Sequence, residues 1–224
     1  MANIFPRGSN ILPLKIALCL AVAGGAVTFA VPYYFTPKYT RVGYQPAQPV
    51  PFPHNVHVAQ LGMDCRYCHS FVEVAAHSNL PTTQVCMNCH LAVQKDNPKL
   101  APLHESWRTG KPMEWVQIHK TPDYVYFNHS AHVNRGVSCV SCHGKVNEMA
   151  VVYHAEPQSM SWCLDCHRAP ENALRPLDKI TDLNWKPTPV NGQTPEEAQR
   201  AMGLDLKAKW HINPPDKNCA GCHR

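Results

Sequence analysis

Away from its N-terminus, this 224-residue sequence lacks long periodic apolar runs, and it carries only 11 Gly against 21 Pro. Side-chain packing of amphipathic helices or alternating strands therefore cannot be the main source of its core. At this length it could hold one ordinary domain, or two. It also lacks clusters of Lys and Arg, despite a formal net charge of +5. A nucleic-acid reader would gather its cations along a run or on one face, so nucleic acid is excluded as a partner. A second membrane-length hydrophobic segment is missing as well.

Cysteine is plentiful. Ten of the 11 Cys fall into five copies of C-x-x-C-H. The copies are Cys65-Cys68-His69, Cys86-Cys89-His90, Cys139-Cys142-His143, Cys163-Cys166-His167 and Cys219-Cys222-His223. This pattern attaches c-type haem: the two thiols add to porphyrin vinyl groups and the adjacent His ligates the iron. A zinc ribbon uses C-x-x-C without requiring His at the next position, and a disulfide scaffold has no use for a fixed trailing His. Five covalently bound haem c groups are expected. They would supply the apolar core that the side chains do not. Each oxidised haem brings about one net negative charge, so five would offset the formal +5 and leave the Lys and Arg as propionate partners and solvated surface.

The one long apolar stretch is ILPLKIALCLAVAGGAVTFAVPYYF, Ile11 to Phe35, uncharged from Ile16 onward. Twenty such residues in a helix span a bilayer. Tyr33, Tyr34 and Phe35 sit where an aromatic belt belongs, and Gly24 and Gly25 suit close helix packing. Thr28-Phe29-Ala30 also fits a signal-peptidase site. We read residues 1–35 as an uncleaved signal anchor. Cys19 within it is expected to be an inert thiol. Arg7 and Lys15 place the N-terminus in the cytoplasm, although Lys38 and Arg41 weaken the asymmetry. The haem domain is then expected on the periplasmic or extracellular side of a bacterial cytoplasmic membrane, where c-type haem is attached. Residues 36–53, with Pro37, Pro46, Pro49, Pro51 and Pro53, read as an extended connector, a plain spacer in preference to a partner-binding strip.

Residues 54–224 contain an internal repeat. Phe52-Pro-His54-x-x-His57 precedes the first C-x-x-C-H, and Phe127-Asn-His129-x-x-His132 precedes the third; one further motif follows each. Two di-haem modules, 54–90 and 129–167, follow from the repeat, with a fifth haem at 219–223. Leu91 to Tyr126 reads as an insertion and Arg168 to Val190 as a surface wrap. A helix is expected over Pro195 to Lys209, capped by Thr194 with Glu196 and Glu197 in its first turn. The fold class is mostly irregular and α, a multihaem cytochrome c with one N-terminal transmembrane helix.

The proximal iron ligands are His69, His90, His143, His167 and His223. For the opposite positions His54, His57, His129 and His132 are the leading candidates, because an H-x-x-H pair can serve two haems at once. The fifth position is open. The repeat favours His77 and His154, each nine residues before a motif cysteine. Met160 would supply a thioether and raise that haem's potential. Met149 and His119 also compete.

The F-x-H-x-x-H…C-x-x-C-H units resemble those of the cytochrome c3/c7 group of multihaem cytochromes. More specifically, PFPHNVHVAQLGMDCRYCHS, VCMNCH, WVQIHKTPDYVYFNHSAHVNRGVSCVSCHG and SMSWCLDCHR resemble the membrane-anchored pentahaem subunit of alternative complex III, along almost the whole chain. That resemblance ranks His119 and Met160 above His77 and His154, with Met149 also fitting. It implies partners: integral-membrane quinol-binding subunits, an iron–sulfur subunit and a mono-haem cytochrome c subunit. Electrons would pass through the haems to a soluble periplasmic cytochrome c or copper protein.

Three functions compete on these grounds. The chain is an electron-transfer subunit of a quinol-oxidising membrane complex, a stand-alone single-helix quinol dehydrogenase, or a catalytic multihaem reductase. The C-x-x-C-K motif of nitrite reductases is absent, and candidate sixth ligands outnumber the places to fill, which argues against catalysis by this chain alone. The specific matching segments favour the first reading.

Overall fold

The computed structural model describes residues 6–35, 41–190 and 192–223. Pro37 and Lys38 of the expected connector lie outside them. The chain divides into two compact units, Met1–Val42 and Gly43–Arg224.

The first unit is a short 3-10 turn, Arg7–Ile11, running into helix α1, Leu12–Phe35. At 1.5 Å per residue its 24 residues reach about 36 Å, enough for a hydrocarbon core of about 30 Å. Within Gly8–Tyr34 an 18-residue window has a mean hydropathy of 2.1, and none of that window is buried inside the protein. This is a candidate membrane anchor. The hydroxyl of Thr28 donates to the Gly24 carbonyl, as in-helix Thr does where no water competes.

The second unit is built from short helices: α2 (Cys65–Cys68), α3 (Thr83–His90), α4 (Ala101–Thr109), α5 (His129–Val133), α6 (Val140–His143), α7 (Met160–Arg168) and α8 (Pro195–Lys209). No strand occurs among the described residues; a single antiparallel bridge joins Val137 and Leu174. The local signals are legible. Asp64 caps α2, Asn128 caps α5 and Ser159 caps α7, each accepting from a backbone N–H of the first turn. Thr194 and Glu197 close a full capping box at α8, which spans the residues expected of it.

Ten hydrophobic side chains are buried among the described residues, too few to hold a unit of this length by themselves. Val50, Met87 and Leu103 form one small cluster. The stretch after His167 is more than a surface wrap: Leu174, Ile180 and Leu183 are buried. Helix α8 packs on its first turn, Pro170–Asn172, where Lys207 donates to the largely buried Glu171 carboxylate at 3.0 Å. Gly203 makes that approach feasible, since a Cβ there would collide with the Glu171 carbonyl.

The proline-rich stretch is not a plain spacer from Gly43 on. Gly43 N–H donates to the His154 carbonyl and His154 N–H to the Tyr44 carbonyl, at 2.8 and 3.0 Å. Gln48 clamps Val116, its amide donating to the carbonyl and its Oε1 accepting from the N–H, both at 2.9 Å. The prolines keep the strip extended, and its backbone and amide groups tie it to segments 115–119 and 151–155.

Candidate haem-binding site

Each C-x-x-C-H lies on about one helical turn. Cysteines three apart share a face, and the His four after the first Cys joins them there. In α2, α3, α6, α7 and the final 3-10 turn Cys219–Gly221 the local helix therefore performs the same task. None of the cysteines is in a disulfide.

The histidines are placed in pairs. An imidazole nitrogen binds a first-row metal at about 2.0–2.1 Å and lies about 1.1 Å from its ring centre, so two rings facing one metal have centres about 6.2–6.4 Å apart. His57 and His90 are 6.3 Å apart, His129 and His143 6.4 Å, and His132 and His167 6.2 Å. The His129 and His143 rings are within 8° of parallel. His54 lies near His69, whose charge, after burial, helps hold the His54 pKa at about 4. The two copies of the repeat are thus used alike. In the second copy the first His of H-x-x-H faces the next motif and the second faces the motif after it; in the first copy His57 likewise faces His90, and His54 lies near His69.

Ring orientation is fixed from outside. Nδ1–H donates to a backbone carbonyl in His57 (Pro53, 2.9 Å), His69 (Asn79, 2.8 Å), His90 (Val93, 3.0 Å) and His129 (Ala76, 2.9 Å). The same holds for His132 (Asn128, 2.7 Å), His167 (Pro215, 2.9 Å) and His223 (Tyr124, 3.2 Å). Such bonds select the tautomer that leaves Nε2 for a metal and raise its basicity. Phe52 stacks on His57 at 4.2 Å and meets His54 edge-on; Phe127 repeats this with His132 at 4.5 Å and His129. Burial, chiefly, depresses the pKa values of His132 and His143, the latter to about 3. Neutral imidazole is the ligating form, so donor set and environment both fit covalently held haem.

The thiols set a neighbourhood order. Cys68 lies near Cys86, and Cys65 lies beside Cys139, a neighbour that with burial pushes the Cys139 pKa up. Cys142 is raised to about 12 by burial and the nearby Cys166 and Cys163; Cys163 in turn neighbours Cys222. Backbone contacts agree. His129 and Ser130 N–H groups donate to the Ala76 and Ala75 carbonyls, joining the second module to the first. Pro215, which accepts from His167, also abuts Gly221.

The remaining candidates separate. His119 is edge-to-face with His143 at 4.4 Å and stacked on His154 at 5.1 Å, both too close for a metal between the rings. Its pKa is lowered to about 4 by burial and then His154. His154 is 1% exposed, and Met149 is buried beside Gly144. His77 is exposed. Met160 is 65% exposed at the start of α7, one turn before Cys163 and so on the face that Cys222 approaches. The two phenylalanines and the carbonyl acceptors were not singled out as functional by the sequence reading. Phe two residues before each H-x-x-H was the available signal; the acceptors, up to 99 residues distant for His223, carried none.

Comparison with known proteins places these features. Residues 125–224 match the family described as Cytochrome c7 and related cytochrome c. Over 147 residues the chain is 34% identical to the "Menaquinone reductase, multiheme cytochrome c subunit" of Nitratidesulfovibrio vulgaris. That match covers 63% of this chain and 66% of the relative, so the chain spans just under two thirds of the relative's length. Over residues 125–224 the fold is cytochrome c7-like; the described residues are mostly helical and irregular, with one N-terminal candidate transmembrane helix.

Proposed function

We propose that this chain is the multihaem electron-transfer subunit of a membrane complex that exchanges electrons with a quinone. The observation that carries it is the set of three imidazole pairs at 6.2–6.4 Å, each containing a C-x-x-C-H histidine. When bound, haem c supplies one-electron redox chemistry, and its potential is set by axial ligand, burial and hydrogen bonding. What the chain contributes is a set of held, mutually adjacent sites.

Five haems are proposed. The ligand pairs are His69 with His54, His90 with His57, His143 with His129, His167 with His132, and His223 with Met160. The last rests on helical phase. Met160 and Cys163 share a face of α7 and Cys163 adjoins Cys222, whereas His119, His154 and Met149 gather at the 139–144 segment. The thiol and backbone contacts support a single line of sites: 86–90, 65–69, 139–143, 163–167, 219–223. The domain division is 1–35 for the anchor and 54–224 for the haem domain, with 43–53 attached to the latter. The haem domain is read as periplasmic.

Partner subunits supply the rest. Oxidation of a quinol releases two electrons and two protons at the membrane-embedded subunits. The electrons leave one at a time through an iron–sulfur subunit and these sites to a mono-haem cytochrome c subunit or a soluble periplasmic carrier. The relative's name favours a second reading, in which electrons run the other way and reduce menaquinone.

Purification in mild detergent tests the reading. The chain should elute with polytopic and iron–sulfur partners and contain about five haems by pyridine haemochrome. Stopped-flow mixing with a menaquinol analogue, and separately with a reduced periplasmic carrier, distinguishes the two directions. A chain that purifies alone and oxidises quinol at full rate would instead be the single-helix dehydrogenase.

A further inference from the structure

The proximal histidines are not all held in the same way. His69, His90, His167 and His223 each give Nδ1–H to a backbone carbonyl. Among the described residues His143 has no such carbonyl. Its neighbour is the imidazole of His119, edge-to-face at 4.4 Å and 85°. The Nε2 of His119 is buried and has no hydrogen-bond partner. A buried acceptor without a partner is costly, and a neutral imidazole offers one donor and one acceptor.

From these contacts we infer that His119 is the hydrogen-bond acceptor for Nδ1–H of His143, taking the part that a main-chain carbonyl plays at the other four motifs. The inference rests on the reading of His143 as an iron ligand. His119 is then a positioning residue and not the trans ligand opposite His143: a 4.4 Å separation is well short of the distance that two axial rings need. The strip after Gly43 holds this arrangement. Gln48 grips Val116, three residues before His119, while Gly43 and Tyr44 fix the backbone of His154, whose ring stacks on the far side of His119 at 5.1 Å.

The chemical effect has a sign. An acceptor on Nδ1–H makes the ligating nitrogen more basic and favours the ferric state, lowering that site's potential. Unlike a carbonyl, His119 is a side chain and can be exchanged.

The test is a spectroelectrochemical titration of the purified full-length haem protein. In His119→Phe, one redox step should rise by about a tenfold change in its equilibrium constant, about 59 mV for one electron. The other steps should stay in place and every haem should remain low-spin. His119→Gln, which offers an amide oxygen as acceptor, should return the step toward its original position. Gln48→Leu, which leaves both imidazoles intact, should move the same step in the same direction by less. Unchanged potentials in His119→Phe would overturn the inference. So would a new high-spin, carbon monoxide-binding haem, which would make His119 an axial ligand. Failure of the underlying reading looks different: the unmodified protein would show fewer than five haems, or His143→Ala would leave the spectrum untouched.

Discussion

Removing a distal histidine opens one iron, and which iron is fixed by the ring pairs. The His132 and His167 centres are 6.2 Å apart and the His129 and His143 centres 6.4 Å. Truncating His132 to Ala takes away the imidazole that faces His167 at coordinating distance. Its nearest aromatic neighbour, Phe127, stacked at 4.5 Å, has no donor atom to replace it. One haem in five should become five-coordinate. A reduced five-coordinate haem binds carbon monoxide and a six-coordinate one resists it, so the readout is an integer. Titration should give about one carbon monoxide per chain in His132→Ala, about one in His129→Ala, and about two in the double variant. Met160→Ala should also give about one, at the site of His223. His119→Ala should give none, because its 4.4 Å contact with His143 makes no axial bond. Which haem has opened can be read by adding His143→Ala. The haem opened by His129→Ala is the one His143 already serves, so that double variant loses both axial ligands at one iron, whereas with His132→Ala two different irons each lose one. Zero carbon monoxide in His129→Ala, or one in His119→Ala, would refute the pairing and with it the proposed line of sites.

Two further outcomes concern the frame that holds these sites. The Asp64 pKa is held at about 2, below its ordinary 3.8, chiefly by the hydrogen bond from Arg66 and despite some burial. Folded protein therefore takes up that proton less readily than unfolded chain; the carboxylate's contribution is complete above about pH 4 and is lost as pH falls through 2. Asp64→Asn should lower the thermal midpoint modestly at pH 6, since the side chain is 41% exposed, and the gap should close below about pH 4. A gap independent of pH would refute the assignment. Gly203→Ala should cost about 1–3 kcal/mol, or roughly 4–10 °C by calorimetry, as α8 is pushed off the Glu171 carbonyl, while the haem potentials stay put.

The sequence made the chemistry more legible than the architecture. C-x-x-C-H names its own function, and F-x-H-x-x-H recurs with enough context to announce a duplicated module. The α8 boundaries were readable because Thr194, Pro195 and Glu197 are local signals that nothing tertiary overrides. The strip after Gly43 was misread because proline content reports only backbone extension; its role comes from Gln48 and from main-chain bonds to His154, 106 or more residues away for its furthest partners. His119 was open to misassignment for a similar reason. A histidine near haem motifs looks like a ligand in one dimension, and only a ring separation of 4.4 Å against 6.2–6.4 Å distinguishes neighbour from ligand.

The joint between the two copies of the repeat has a wider consequence. Within a copy, one H-x-x-H segment reaches two sites, so those two sites are tied together by five or six residues of chain. Between copies the tie is made by Ala75 and Ala76 accepting from Ser130 and His129, by Asn134 donating to the Glu73 carbonyl, and by the meeting of Cys65 with Cys139. In circuit terms the proposed line of sites is a series connection. The joint between the two repeats rests on the main-chain carbonyls of Glu73, Ala75 and Ala76, met by the N–H groups of Ser130 and His129 and by the Asn134 side chain, so it depends on the path of one short segment.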